Sequence, residues 1–97
     1  MQLKNKQLKY LRSEANAIKP ILQVGKAGVN PNLISQIKDA LEARELIKVS
    51  VLQNCPEDKN VVANKLAERS QANLVQVIGF TIILYRPSTE NPRIELP

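Results

Sequence analysis

The sequence has no histidine, no tryptophan, one cysteine, three glycines and three aromatic residues, Tyr10, Phe80 and Tyr85. Without histidine it lacks the commonest general base and metal ligand. The lone Cys55 excludes an internal disulfide and falls short of a metal site; it reads as a small, semi-buried residue at a strand end. So few aromatics cannot pave a sheet that recognises RNA by stacking bases across it. No apolar run approaches the length of a membrane span, and Met1-Gln2-Leu3-Lys4-Asn5-Lys6 lacks the apolar segment of a signal peptide. The expectation is a cytoplasmic protein with no membrane partner. The carboxylates are scattered over helix surfaces, and no nucleophile has a partner, so neither an enzyme nor a small-molecule substrate or cofactor is expected.

What is present is an aliphatic chain with an uneven charge. Ninety-seven residues, 43% of them hydrophobic, suffice for one domain with a single core. Residues 1–28 hold Lys4, Lys6, Lys9, Arg12, Lys19 and Lys26 against Glu14 alone, whereas residues 29–97 are balanced; the whole net charge of +5 therefore lies in the first segment. A polarised basic surface suggests a polyanionic partner, because neutralising phosphates releases counterions and steers association.

Apolar residues at Leu8, Leu11, Ala15 and Ile18 recur at three- and four-residue steps and predict an amphipathic helix from Leu3 to about Ile18. Lys19-Pro20 ends it. Ile21-Leu22-Gln23-Val24 reads as a short strand, and Leu33, Ile34, Ile37, Ala40 and Leu41 mark one face of a second helix beginning at Pro31. Alternation in Leu46–Leu52 predicts a half-buried strand, and Lys59–Ser70 a third helix. Asn73–Ile78 and Thr81–Tyr85, joined by Gly79-Phe80, read as a type II′ hairpin. The chain past Arg86 has little to bury and is expected to be extended or loosely ordered, with Ile94-Glu95-Leu96 available for edge contacts. The order α-β-α-β-α-β-β implies an α/β domain, one four-stranded mixed sheet packed with helices. The expected domain spans residues 1–97, with a core over about 3–86 and a tail over 87–97.

Val24-Gly25-Lys26-Ala27-Gly28-Val29-Asn30-Pro31 leaves the first strand and enters the second helix. Two glycines permit positive φ and a close approach of backbone to a phosphate chain. Lys26 adds a mobile charge. Asn30 as N-cap and Pro31 as first helical residue would open a helix whose free N–H groups and dipole attract an anion. An ordinary strand-to-helix turn uses the same glycines, so the motif alone does not separate the two readings.

Several stretches together narrow the choice: Lys6-Gln7-Leu8-Lys9-Tyr10-Leu11-Arg12, Lys19-Pro20, Val24-Gly25-Lys26-Ala27-Gly28, Ala40–Val49, Val75–Gly79 and Leu84-Tyr85-Arg86-Pro87. In this order they resemble the CRM domain in its stand-alone bacterial form, the YhbY-like proteins. The resemblance implies a fold similar to the C-terminal domain of translation initiation factor three. It also implies RNA binding through the Gly-x-x-Gly loop, in bacteria on precursors of the large (50S) ribosomal subunit; related plant organelle domains serve group II intron splicing. Gly25, Lys26 and Gly28 match the motif. Ala27 and Val29-Asn30 depart from it, as does Phe80, where members often carry a basic or histidine residue on the hairpin tip; an exposed Phe80 would be free to stack on an unpaired base, and packing in the core is the alternative.

Two functions compete. In the first, a monomeric, non-enzymatic RNA-binding module uses Gly25, Lys26, Ala27 and Gly28, with Lys6, Lys9, Arg12 and Lys19 extending the contact to structured ribosomal RNA. In the second, the basic first helix docks on an acidic protein surface and the glycines only turn the chain. Nucleic acid co-purifying with the protein would distinguish them. Glu42-Ala43-Arg44-Glu45 reads as a solvated helix cap, and the roles of Lys48 and Arg86 stay open.

Overall fold

Each element begins where the local chemistry dictates. In the computed structural model, which describes residues 2–97 and so leaves Met1 outside the described residues, helix α1 spans Asn5–Ala15. It is shorter at both ends than the apolar pattern predicts. The N–H groups of Asn16, Ala17 and Ile18 reach back three residues to the carbonyls of Ser13, Glu14 and Ala15, so the last turn tightens and the helix stops. Strand β1 is Pro20–Val24 and helix α2 is Pro31–Arg44. Strand β2 (Leu46–Val51), helix α3 (Lys59–Ser70) and the β3 (Asn73–Ile78) and β4 (Thr81–Tyr85) hairpin follow. In the hairpin turn Gly79 has φ +55° and Phe80 does not enter the positive region, as a type II′ turn requires.

The sheet order is β1-β2-β4-β3. Strands β1 and β2 run parallel, and β4 lies antiparallel to both β2 and β3. Alternation then divides the side chains between two cores. Val24, Ile47, Val49, Ile82 and Leu84 meet Ile37, Leu41, Val62 and Leu66 of α2 and α3 on one face. On the other face Leu46, Val75, Ile83 and Tyr85 meet Leu11 and Ala15 of α1. This second core would be open on one side if α1 alone covered it, and Ile94 and Leu96 of the tail complete it.

The tail is therefore not loosely ordered. Residues 86–97 form no helix or strand, yet they are anchored by the cluster that the sequence suggested was a solvated cap. Glu45 is 1% exposed. Its Oε2 accepts the N–H of Ser88 at 2.8 Å, and its Oε1 accepts those of Arg93 and Ile94 at 2.7 and 2.8 Å. Glu42 accepts the hydroxyl of Ser88 and both the N–H (3.0 Å) and hydroxyl (2.8 Å) of Thr89. Arg86, open in the sequence, is structural: its guanidinium donates to the carbonyl of Ser70 at 2.8 Å and to that of Lys38 at 3.4 Å, tying α3 to α2.

Folding lowers both carboxyl pKa values. For Glu42 the hydroxyl of Ser88 and the donors of Thr89 bring it down to about 2. For Glu45 burial pushes upward, but the N–H groups of Ser88, Ile94 and Arg93, with the Arg93 charge, outweigh it. A depressed folded pKa gives stability that is present above the ordinary carboxylate range and lost as pH falls through the folded value. The melting temperature is therefore expected to drop between about pH 4.5 and 2 in thermal scans, and Glu42→Gln should flatten that dependence. An unchanged pH profile in the variant would remove Glu42 from the acid response.

Candidate functional site

Strand polarity places five features at one end of the sheet. The carboxyl ends of β1 and β2, the amino ends of α2 and α3, and the β3–β4 tip all lie there. The glycine turn occupies the edge of this end. The Gly28 N–H donates to the Gly25 carbonyl at 2.9 Å, with Lys26 and Ala27 exposed at the two central positions. Neither central residue has positive φ, which fits a type I turn with glycine in its last position.

The two glycines differ in a way the motif does not reveal. Gly28 is buried with φ +66°, a conformation side chains rarely adopt, so the fold itself calls for glycine there. Gly25 has no positive φ. A Cβ at Gly25 would meet Leu52 Cδ1 at 3.4 Å and Asn54 Oδ1 at 3.5 Å, ordinary packing distances. The fold would therefore accept alanine at Gly25.

The start of α2 is also more self-contained than expected. Asn30 Oδ1 accepts the Leu33 N–H at 2.8 Å, the Asn30 carbonyl accepts that of Ile34 at 3.1 Å, and Pro31 has no N–H. Within that turn only Asn32 keeps an N–H without an acceptor among the described residues. An anion here would thus meet one free amide, the helix dipole and Lys26 rather than a row of amides. The first turn of α2 contains no acidic residue to oppose it.

A groove of about 430 Å³ runs from the glycine turn between β1 and α2. Gln23, Asn32 and Gln36 line it with amide side chains, and no carboxylate does. These amides carry no charge and form no motif, so no local pattern in the sequence marks them. Amides can donate to phosphates and pair with base edges.

The expected basic residues divide into groups. Lys26 stands on the turn. Lys19 is at the opposite end of five-residue β1, roughly 16 Å away along the strand, in a separate groove with Arg44 and Arg93. Lys6, Lys9 and Arg12 are exposed on α1, which packs on the sheet face opposite α2 and α3. Lys48 and Phe80, both unplaced by the sequence, are now located. Lys48 is half-buried on the sheet face shared with α1, while Phe80 is exposed, ruling out core packing. Cys55 is half-buried in the connector after β2, packed against the core of α2 and α3.

Among the described residues no group of carboxylates and thiols gathers as a metal site, and no helix is long and apolar enough to cross a membrane. The CRS1 / YhbY (CRM) domain pattern matches residues 3–86. A Bacillus subtilis protein named "Probable RNA-binding protein YqeI" is 63% identical over 95 residues, covering 98% of this chain and 99% of that one. A Haemophilus influenzae protein named "RNA-binding protein" is 36% identical over 95 residues, covering 98% and 95%. The solution structure of hypothetical protein SAV1595 from Staphylococcus aureus superposes with a TM-score of 0.82 at 56% identity, covering 99% of this chain and all of that one.

Proposed function

We propose that this chain, which belongs to the CRS1 / YhbY (CRM) domain family, is a non-enzymatic RNA-binding protein that holds a phosphate backbone on the Gly25–Gly28 turn. The observation that carries the reading is the bare backbone at Gly25, a position the fold does not reserve for glycine, opening onto a groove lined by amides and free of carboxylates. Two relatives of full length named as RNA-binding proteins support it. Lys26 pairs with a phosphate beside the turn, and the amides of Gln23, Asn32 and Gln36 meet sugar, phosphate or base edges. Lys6, Lys9, Arg12 and Lys19 lie elsewhere on the surface and act at longer range, raising the rate of encounter with a large polyanion.

The narrower reading, structured ribosomal RNA in precursors of the large subunit, rests on the family resemblance, whereas a cytoplasmic site and a monomeric state are expectations from the sequence pattern and the basic face. Ultraviolet crosslinking in cells, with sequencing of the attached RNA, tests it: crosslinks concentrated in large-subunit ribosomal RNA are expected. An even spread over all RNA would leave general RNA binding and remove the assembly role. In vitro, log affinity should fall linearly with log salt, and Lys26→Ala should flatten the slope by about one unit or less. Binding that ignores salt would contradict the phosphate reading.

A further inference from the structure

We propose that Phe80, with Lys59 beside it, is a stacking site for one unpaired nucleobase of the RNA whose backbone lies on the glycine turn. The inference rests on the RNA-binding reading and adds the chemical feature that is read: a base free of its partner, next to the bound backbone. Phe80 is 58% exposed and its neighbour Ile78 52%, the two most exposed large apolar side chains among the described residues. The hairpin turn requires glycine only at its first position, so nothing in the turn geometry calls for a phenyl ring at the second. The tip is held in place, because the Phe80 carbonyl accepts the Val51 N–H at 2.7 Å.

Lys59 Nζ lies over the ring, 4.8 Å from its centroid, a cation–π arrangement that takes one face of the phenyl and leaves the other for a base. A base stacked there would have a cation next to its own phosphate. The connector after β2 links this platform to the turn: Leu52 and Asn54 approach Gly25, Pro56 and Glu57 approach Gly28, and Val51 bonds the hairpin tip. With β2 alone between them, β1 and β4, the strands that end at the two sites, lie roughly 10 Å apart. The connector's carboxylates are engaged already, Glu57 with Lys65 and Asp58 with the Asn60 N–H, so they oppose an approaching phosphate less than free acids would.

The test uses two RNA probes with the same stem, a hairpin whose loop carries 2-aminopurine and a blunt duplex. Phe80→Ala is expected to weaken hairpin binding about 5- to 100-fold and abolish the 2-aminopurine response, with duplex binding within about twofold of wild type. Phe80→Tyr should keep both. Phe80 is exposed, so both variants are expected to fold as wild type, and matched thermal melts check it. Equal loss on both probes, or no loss on either, would overturn the stacking site while leaving backbone binding in place. A wild-type protein that binds neither probe would overturn the RNA reading and the stacking site with it.

Discussion

Glu45→Gln lowers the unfolding free energy by about 2–4 kcal/mol, the expected result of removing one charge from a buried acceptor that serves three backbone donors. The amide keeps one oxygen, enough for the Arg93 and Ile94 N–H groups, but turns an NH₂ toward the Ser88 N–H, where donor meets donor. The backbone supports the same conclusion. Glu45 has φ +67° at the end of α2, where glycine would avoid strain of about 1 kcal/mol or more, so the side chain must contribute more than that strain costs. Urea unfolding measures the loss, and amide exchange at Ser88, Arg93 and Ile94 shows whether the tail has come away. Exposed Glu90, whose side chain makes no bond in the anchor, provides the control: Glu90→Gln should stay within about 0.5 kcal/mol. If Glu45→Gln were equally mild, the carboxylate would be an ordinary solvated cap and the tail a passive appendage.

Gly25→Asp should reduce RNA affinity about a hundredfold while leaving the fold nearly as stable as wild type. It sets a carboxylate where the phosphate is proposed to sit, and like charges brought together at an interface cost several kcal/mol. Gly25→Ala separates charge from bulk. Its Cβ meets only ordinary contacts with Leu52 and Asn54, so a loss of binding with an unchanged melt would come from bulk added at the turn; about three- to tenfold is expected. Gly28 is a poorer probe, because its positive φ would strain any side chain and mix stability with binding. Filter binding at two salt concentrations with thermal melts of both variants decides the matter. A Gly25→Asp protein that melts normally and binds fully would reduce the motif to a turn.

Local pattern was enough for much of the fold. The 3.6-residue recurrence of Leu33, Ile34, Ile37 and Leu41, capped by Asn30-Pro31, gives α2 its bounds because capping and amphipathicity act within a few residues. The period of two in β2 and glycine first in the hairpin turn likewise act over neighbours. The ends of α1 were less legible, since a helix can tighten into a final 3₁₀ turn without any change of apolar spacing.

The sequence by itself determined the element order, the single mixed sheet, the uneven charge and the position of the glycine turn. Each follows from interactions between residues near in the chain, or from composition. Tertiary structure alone decided what joins residues far apart: Glu45 accepting N–H groups 43 to 49 residues later, Arg86 tying α3 to α2, Lys19 parted from Lys26 by the length of a strand, and Phe80 brought alongside Lys59. A carboxylate in a sequence looks the same whether water or a returning chain will satisfy it. Which one does depends on where the fold brings the backbone back.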